Sequence, residues 1–132
     1  MVETTDVVVV GAGQAGLALS YLLGRAQIAH VVLERGRVGE SWRAQRWDSF
    51  RLNTPNWSNG LPGEAFHPQA SDGFADRDEL VAFFEHHVRR HRLPVREGIP
   101  VTAVAPRAGG GMRWRPTVAR STPGRSCWPA VA

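Results

Sequence analysis

Two short apolar runs frame the first third of the chain. Residues 7–10 are four consecutive valines, and Val31–Leu33 form a second run. An unbroken β-branched run is typical of a strand buried on both faces of a parallel sheet. Between the runs, residues 14–25 carry apolar side chains at helical spacing. Strand, helix and strand within about 30 residues make one βαβ unit, so the pattern predicts an α/β fold of Rossmann type with a parallel sheet.

The apolar pattern further along predicts one more helix and two short strands. Residues 76–92 carry core-facing apolar side chains, and Asp76 with Glu79 resembles a capping box at the start of a helix. Val95 and residues 101–104 predict short strands. From residue 109 onward neither period is present and prolines are scattered. We therefore expect a partial Rossmann-type domain over 1–108 and an irregular Arg/Pro-rich tail over 109–132.

That tail has a second interpretation, in which it is out of frame. If the reading frame is shifted from Arg113 onward, codon degeneracy permits a strand, an Asp-Gly-Gly turn and an apolar strand that ends in glycine. The sheet would then be incomplete at its C-terminus, with an exposed edge.

Composition and charge exclude several classes of protein. The chain has 132 residues, the size of one domain, and a net charge of +4. All 12 acidic residues lie before residue 105, so the basic character belongs to the tail and a nucleic-acid partner is not expected. No stretch is long and apolar enough to span a membrane. A single cysteine, Cys127, excludes an internal disulfide framework, and with no secretory signal visible we expect a cytoplasmic protein.

The first strand leads into a glycine-rich segment of the form G-x-G-x-x-G, at Gly11, Gly13 and Gly16. In a dinucleotide-binding βαβ unit the first glycine allows a tight turn, and the second lets the backbone approach a pyrophosphate. The third lets the helix pack closely on the strand. The pyrophosphate binds the free N–H groups at the helix N-terminus, where the helix dipole favours negative charge. The motif therefore predicts a dinucleotide site.

An acidic residue stands where such a site needs one. Glu34 closes the second apolar run, eighteen residues after Gly16, and its carboxylate is placed to accept hydrogen bonds from an adenosine ribose. An acid here argues against a 2′-phosphate on the nucleotide, because like charges would meet. The alternative is an ordinary exposed acid at the end of a strand.

The segment after Glu34 carries a resemblance to a known family. A plain Rossmann domain would enter its next helix here, but residues 35–68 are irregular and rich in Trp, Arg, Asn and Pro. The turn Val38 to Arg43, the stretch Asp48 to Pro55 and the Leu61-Pro62 turn resemble the class B flavin monooxygenases. That family includes the flavin-containing, Baeyer–Villiger and plant indole-pyruvate monooxygenases. The resemblance covers about residues 5–105 and departs from the family at residues 39–41, where Gly-Gly is common.

The resemblance implies FAD as the cofactor. It places the ADP half of FAD on the glycine segment and on Glu34. Ser41 and Trp42 would line the path to the flavin, and Asn53 and Thr54 would lie near the isoalloxazine ring. The Val101 backbone would contact the adenine. The candidate cofactor-binding residues are Gly11, Ala12, Gly13, Gln14, Ala15, Gly16, Glu34, Arg35, Ser41, Trp42, Asn53, Thr54 and Val101. Two alternatives stay open: Asn53 caps a loop, and Trp42 is a core aromatic.

The function implied is that of an NAD(P)H-dependent flavoprotein monooxygenase or oxidoreductase acting on a small organic substrate. In the family, NADPH binds to a second glycine-motif domain that this sequence does not contain, so no catalytic residue is assigned and the chain alone is expected to be inactive. A single-domain NAD-binding module and a non-functional truncated product are the alternatives.

A pair of histidines on the predicted second helix raises the question of a metal site. His87 and His91 are spaced i, i+4, the spacing of two ligands on one helix face. No neighbouring carboxylate or cysteine completes a ligand set in the sequence, and Arg89 and Arg90 add positive charge. We therefore expect a solvated basic helix face and no metal.

Overall fold

In the computed structural model, residues 4–44, 47, 49–66, 73–116 and 130–131 are described. They form seven strands, three α-helices and one 3-10 turn. In chain order these are β1 (Thr4–Thr5), β2 (Val7–Val10), α1 (Gln14–Arg25), β3 (His30–Leu33), α2 (Glu40–Ala44), the 3-10 turn Asn56–Ser58, α3 (Arg77–His91), β4 (Val95–Arg96), β5 (Val101–Pro106), β6 (Met112–Pro116) and β7 (Ala130–Val131).

The parallel sheet predicted from the two apolar runs is present. Its strand order is β2-β3-β4, and both pairings are parallel. Val9 lies opposite Val32, and Val32 in turn lies opposite Val95. Val32 has no exposed surface, as expected for the central strand of a sheet covered on both faces. The α/β Rossmann-type prediction is confirmed.

A second sheet follows, with strand order β1-β7-β6-β5. Within it β5 and β6 form an antiparallel hairpin, with Val104 opposite Trp114. Gly109, Gly110 and Gly111 all have positive φ, between 80° and 98°, and they provide the reversal between the two strands.

The hairpin differs from the irregular segment expected from residue 109. Residues 112–116 are a paired strand, and Trp114 on that strand is buried. The sequence analysis missed β6, although Met112, Trp114 and Pro116 alternate with Arg113 and Arg115, because this alternation is short and the pairing with β5 is what buries Trp114. Residues 117–129 and 132 of the expected tail lie outside the described residues, as does Asp48 of the family-like stretch.

Helix α3 begins where its sequence predicted. The Asp76 side chain accepts a hydrogen bond from the backbone nitrogen of Glu79 at 2.9 Å, and the Glu79 side chain accepts one from Asp76 N at 3.0 Å. This capping box satisfies two donors that a helix N-terminus leaves unpaired. Leu80 and Phe84 face the main core together with Leu17 of α1 and Val32 of β3. The helix ends at His91, and its C-cap residue, Arg92, adopts a left-handed conformation with φ of 50°.

No helix among the described residues is both long enough and apolar enough to cross a lipid bilayer.

Candidate functional site

A cleft of about 610 Å³ opens at the carboxyl ends of β2 and β3. In open α/β sheets this is the end at which ligands bind. Three segments form its walls: the glycine segment after β2, the turn between β3 and α2, and the start of β5. The lining residues are Val10, Gly11, Ala12, Gly13, Leu33, Glu34, Arg35, Gly39, Glu40, Ser41, Ile99, Pro100, Val101 and Thr102.

Each of the three glycines meets a different steric requirement. Gly11 has φ of +100°, a conformation that side chains disfavour, and its N–H donates to Leu33 O at 2.8 Å. A Cβ atom built on Gly13 would meet nothing within 4 Å, so this backbone faces open space in the cleft. A Cβ atom on Gly16 would lie 1.9 Å from Gly11 O and 3.4 Å from Val9 Cγ1. Only Gly16 is required for packing of the helix on the strand.

Helix α1 presents an N-terminus without a side-chain cap to this cleft. Gly13 is its N-cap residue, no side chain caps it, and its first turn holds no acidic residue. The leading N–H groups of a helix have no partner within the helix, and the dipole places partial positive charge there. Gln14 and Ala15 form this first turn with Gly16, and both are exposed. The arrangement favours an anionic group against the turn.

Glu34 is buried, at 9% exposure, and is hydrogen-bonded to the glycine segment itself. Its Oε2 accepts from Ala12 N at 2.7 Å, and its Oε1 accepts from Gly36 N at 3.0 Å. The alternative of an ordinary exposed acid is therefore wrong. A carboxylate has about four lone-pair positions, so these two bonds leave capacity for hydroxyl donors from the cleft.

The turn between β3 and α2 forms a second wall. Gly39 has φ of +70°, and its N–H donates to Ala12 O at 3.1 Å, which links this turn to the glycine segment. Arg35 and Ser41, both predicted site residues, line the cleft here beside Glu40. The Glu40 carboxylate accepts from the backbone nitrogen and from Nε of Arg37, both at 3.1 Å. The backbone hydrogen bond and then the guanidinium hold the pKa of Glu40 below its ordinary value.

The third wall contains residues that the sequence did not single out. Ile99 N donates to Glu34 O at 2.9 Å and Gly98 N to Gly36 O at 3.1 Å, which sets residues 99–102 against the turn after β3. Val101 lines the cleft, as its predicted role requires, and Ile99, Pro100 and Thr102 line it with Val101. The turn Gly98 to Pro100 is visible in the sequence. Its contact with Glu34 depends on tertiary structure.

Six predicted residues are not among those that line this cleft: Gln14, Ala15 and Gly16 on the first turn of α1, and Trp42, Asn53 and Thr54 beyond it. Trp42 is half-buried against the core, with its ring centroid 5.9 Å from that of Phe50. Asn53 and Thr54 are exposed on the loop that follows Leu52. Thr54 Oγ1 donates to Asn59 Oδ1 at 2.5 Å, and Asn59 Nδ2 donates back to Thr54 O at 3.1 Å. Their contacts with a flavin ring stay a prediction.

The histidine pair on α3 is not on a solvated face. His87 has no exposed surface, and Glu64 reaches it from a distant turn, with Oε2 3.1 Å from His87 Nδ1. The same oxygen lies 3.5 Å from His91 Nε2. The expectation that no carboxylate accompanies the pair is therefore wrong. A separation of 23 residues in the chain hid Glu64 from sequence analysis.

Comparisons with known proteins identify a family and relatives that match the part of the chain containing the cleft. A family model described as pyridine nucleotide-disulphide oxidoreductase matches residues 8–112. The "Uncharacterized oxidoreductase CzcO-like" of Geobacillus kaustophilus is 36% identical over 96 residues, which cover 72% of this chain and 27% of that protein. The indole-3-pyruvate monooxygenase YUCCA4 of Oryza sativa is 34% identical over 90 residues, covering 67% of this chain and 20% of that protein.

A solved structure shows the same likeness. The flavin-containing monooxygenase from Stenotrophomonas maltophilia superposes with a TM-score of 0.80 at 26% identity, covering 98% of this chain and 36% of that one. The chain thus spans less than a third of the two curated relatives and little more than a third of this solved protein.

Proposed function

The chain belongs to the pyridine nucleotide-disulphide oxidoreductase family, and from that premise we propose that its cleft binds the ADP portion of FAD. The activity proposed for the whole protein is that of an NAD(P)H-dependent flavoprotein monooxygenase or related oxidoreductase acting on a small organic substrate. We further propose that it works in the cytoplasm, without nucleic acid as a partner.

The main support for the proposal is that Gly13 and Glu34 line the same cleft. The Gly13 backbone faces open space at the uncapped start of α1, where an anionic pyrophosphate is stabilised by N–H groups and the helix dipole. Glu34 is fixed by Ala12 and Gly36 at the edge of the same cleft. An anion site beside a held carboxylate fits a pyrophosphate joined to a ribose.

The remaining walls fit the adenine and the flavin ends of such a ligand. Residues 99–102 offer a largely apolar surface beside Glu34, which suits an adenine ring, and the Val101 backbone is proposed as its hydrogen-bonding partner. Arg35 and Ser41 are proposed as further contacts, with Trp42, Asn53 and Thr54 on the isoalloxazine side. Glu34 disfavours a 2′-phosphate by charge repulsion, which supports FAD over NADP in this cleft.

When bound, FAD supplies two-electron redox chemistry that amino-acid side chains lack. The residues of this chain hold and orient the cofactor and keep its ADP end fixed. Glu34 accepts hydroxyl hydrogen bonds and the first turn of α1 neutralises phosphate charge. We assign no catalytic residue within the chain.

Ligand binding to the purified 132-residue chain tests the proposal. FAD, FMN and NAD⁺ are titrated separately, the flavins by fluorescence and NAD⁺ by calorimetry, with ADP as competitor. We expect FAD to bind, FMN to bind much more weakly because it lacks the ADP half, and ADP to displace FAD. If NAD⁺ binds more tightly than FAD, the chain is a nicotinamide-nucleotide module instead. If FMN binds as well as FAD, the proposed role of Glu34 and the glycine segment is wrong.

A further inference from the structure

A buried polar cluster lies in a part of the chain that the cofactor cleft does not use. Glu64 ends a tight turn whose first residue, Leu61, exchanges two backbone hydrogen bonds of 3.0 Å with it. His87 and His91 stand one helical turn apart on the same face of α3. The fold brings the carboxylate against both imidazoles.

The distances between these side chains are those of a shared coordination shell. Glu64 Oε2 lies 3.1 Å from His87 Nδ1 and 3.5 Å from His91 Nε2, and one ligand atom from each residue falls within 4.8 Å of the others. Zn²⁺ binds such atoms at about 2.0–2.2 Å, so tetrahedral ligands stand about 3.3–3.6 Å apart. Two edges of the triangle are already close to that length, and the third is no longer than 4.8 Å.

Two nitrogens of the cluster, His87 Nε2 and His91 Nε2, are buried without a hydrogen-bond partner among the described residues. Of these, His91 Nε2 faces Glu64 Oε2 at 3.5 Å. Leaving a buried polar atom unpaired is unfavourable. A cation held by the lone pairs of Glu64, His87 and His91 would satisfy His91 Nε2.

The surroundings fit a ligating carboxylate. The second oxygen of Glu64, Oε1, contacts His86 Nε2 at 3.0 Å and Arg90 Nη1 at 3.5 Å. Metal-bound carboxylates commonly have such outer partners. Arg90 is 60% exposed and on the far oxygen, so solvent screens its charge from the three ligand atoms.

An aromatic side chain packs against the two histidines, which lie close together. Tyr21 of α1 lies edge-on to His91, with ring centroids 4.8 Å apart, and its ring centroid is 5.7 Å from that of His87. The ring centroids of His87 and His91 are 4.6 Å apart.

We propose that Glu64, His87 and His91 bind a divalent transition-metal cation of the Zn²⁺ type, with a fourth position left for water. Two imidazoles and a carboxylate form a donor set that Zn²⁺ takes readily. The ion would fasten the turn that ends at Glu64 to α3, whose Leu80 and Phe84 pack in the core. Its role is to stabilise the fold, separately from the cofactor cleft.

Zn²⁺ titration of the chelator-stripped, full 132-residue chain tests the site. We expect one ion per chain by calorimetry, a rise in the melting temperature, and a Co²⁺ visible spectrum of four-coordinate type. Loss of an outer partner alone typically costs 10–100-fold in affinity, so His91→Gln and Glu64→Gln should each cost roughly 100-fold or more. The matched control is His86→Gln, which removes only an exposed outer partner on the other carboxylate oxygen and should cost about tenfold, clearly less than the loss of a ligand.

Several results would overturn the proposal. One is the absence of one-to-one binding, and another is an equal loss in His86→Gln and His91→Gln, which would indicate adventitious surface binding. X-ray absorption on the unsubstituted chain decides the case even if the variants fail to fold. A zinc shell with two imidazoles and one carboxylate supports the site, and any shell without imidazole contradicts it.

Discussion

The Glu34 carboxylate lies 2.7 Å from the backbone nitrogen of Ala12, twenty-two residues earlier in the chain. The end of β3 is thereby fastened to the glycine segment that follows β2, and the same side chain reaches Gly36 N. One residue thus fixes two of the three walls of the cleft before any ligand is bound.

Glu34→Gln is expected to weaken both the fold and FAD binding. The amide keeps one acceptor oxygen but turns an NH₂ group towards a backbone donor. Hydrogen bonds to charged groups contribute about 1.5–3 kcal/mol, so we expect a loss of that order in the free energy of unfolding, measured in urea. Glu40→Gln is the control, because Glu40 lines the same cleft but is held on its surface by Arg37. An equal effect of both variants would contradict the special role of Glu34.

Gly16→Ala is expected to destabilise the fold. The added methyl carbon would lie 1.9 Å from Gly11 O, and backbone must move to admit it. Overpacking typically costs about 1–3 kcal/mol, and we expect at least that loss in chemical unfolding. If the variant unfolds at the same urea concentration as the original chain, α1 does not pack on β2 as described.

Gly13→Ala is expected to separate binding from stability. A methyl group here meets no protein atom within 4 Å and the backbone conformation, with φ of −91°, suits alanine, so the unfolding free energy should change by about 1 kcal/mol or less. The methyl group would occupy the space assigned to the pyrophosphate. FAD titration should therefore show a large loss of affinity, and unchanged affinity would place the pyrophosphate elsewhere.

Asp76→Ala is expected to cost about 0.5–2 kcal/mol of stability, because it removes the N-cap of α3. Asp76 accepts from Glu79 N at 2.9 Å, whereas the Asp78 side chain is 85% exposed. Asp78→Ala is therefore the matched control and should unfold within about 0.5 kcal/mol of the original chain. Thermal and urea unfolding of both variants measure the difference, and equal losses would argue against the capping box.

Arg37→Gln is expected to raise the pKa of Glu40 part of the way to its ordinary value. The backbone hydrogen bond from Arg37 remains and only the side-chain contribution is lost. A lowered carboxyl pKa stabilises the fold above the unfolded pKa, and that stabilisation disappears as the pH falls through the folded value. NMR titration of the Glu40 side chain in acid checks the shift. An unchanged pKa would mean that the guanidinium does not contribute.

The sequence by itself determined the first βαβ unit and the start of α3. Four valines, three spaced glycines and the Asp76–Glu79 box are local patterns, and local backbone preferences and burial are enough to specify what they form. Gly16 is the best example. The motif predicts close packing of the helix on the strand, and a Cβ atom placed on Gly16 would clash with Gly11 O.

Tertiary structure alone decided the rest. Ile99 reaches Glu34, and Glu64 reaches His87. These relationships join residues far apart in the chain, and neither periodicity nor spacing records which distant partner a side chain will meet. The glycine motif therefore predicted a dinucleotide-binding cleft. The third wall of that cleft and the cluster of Glu64, His87 and His91 depend on the packing of the folded chain.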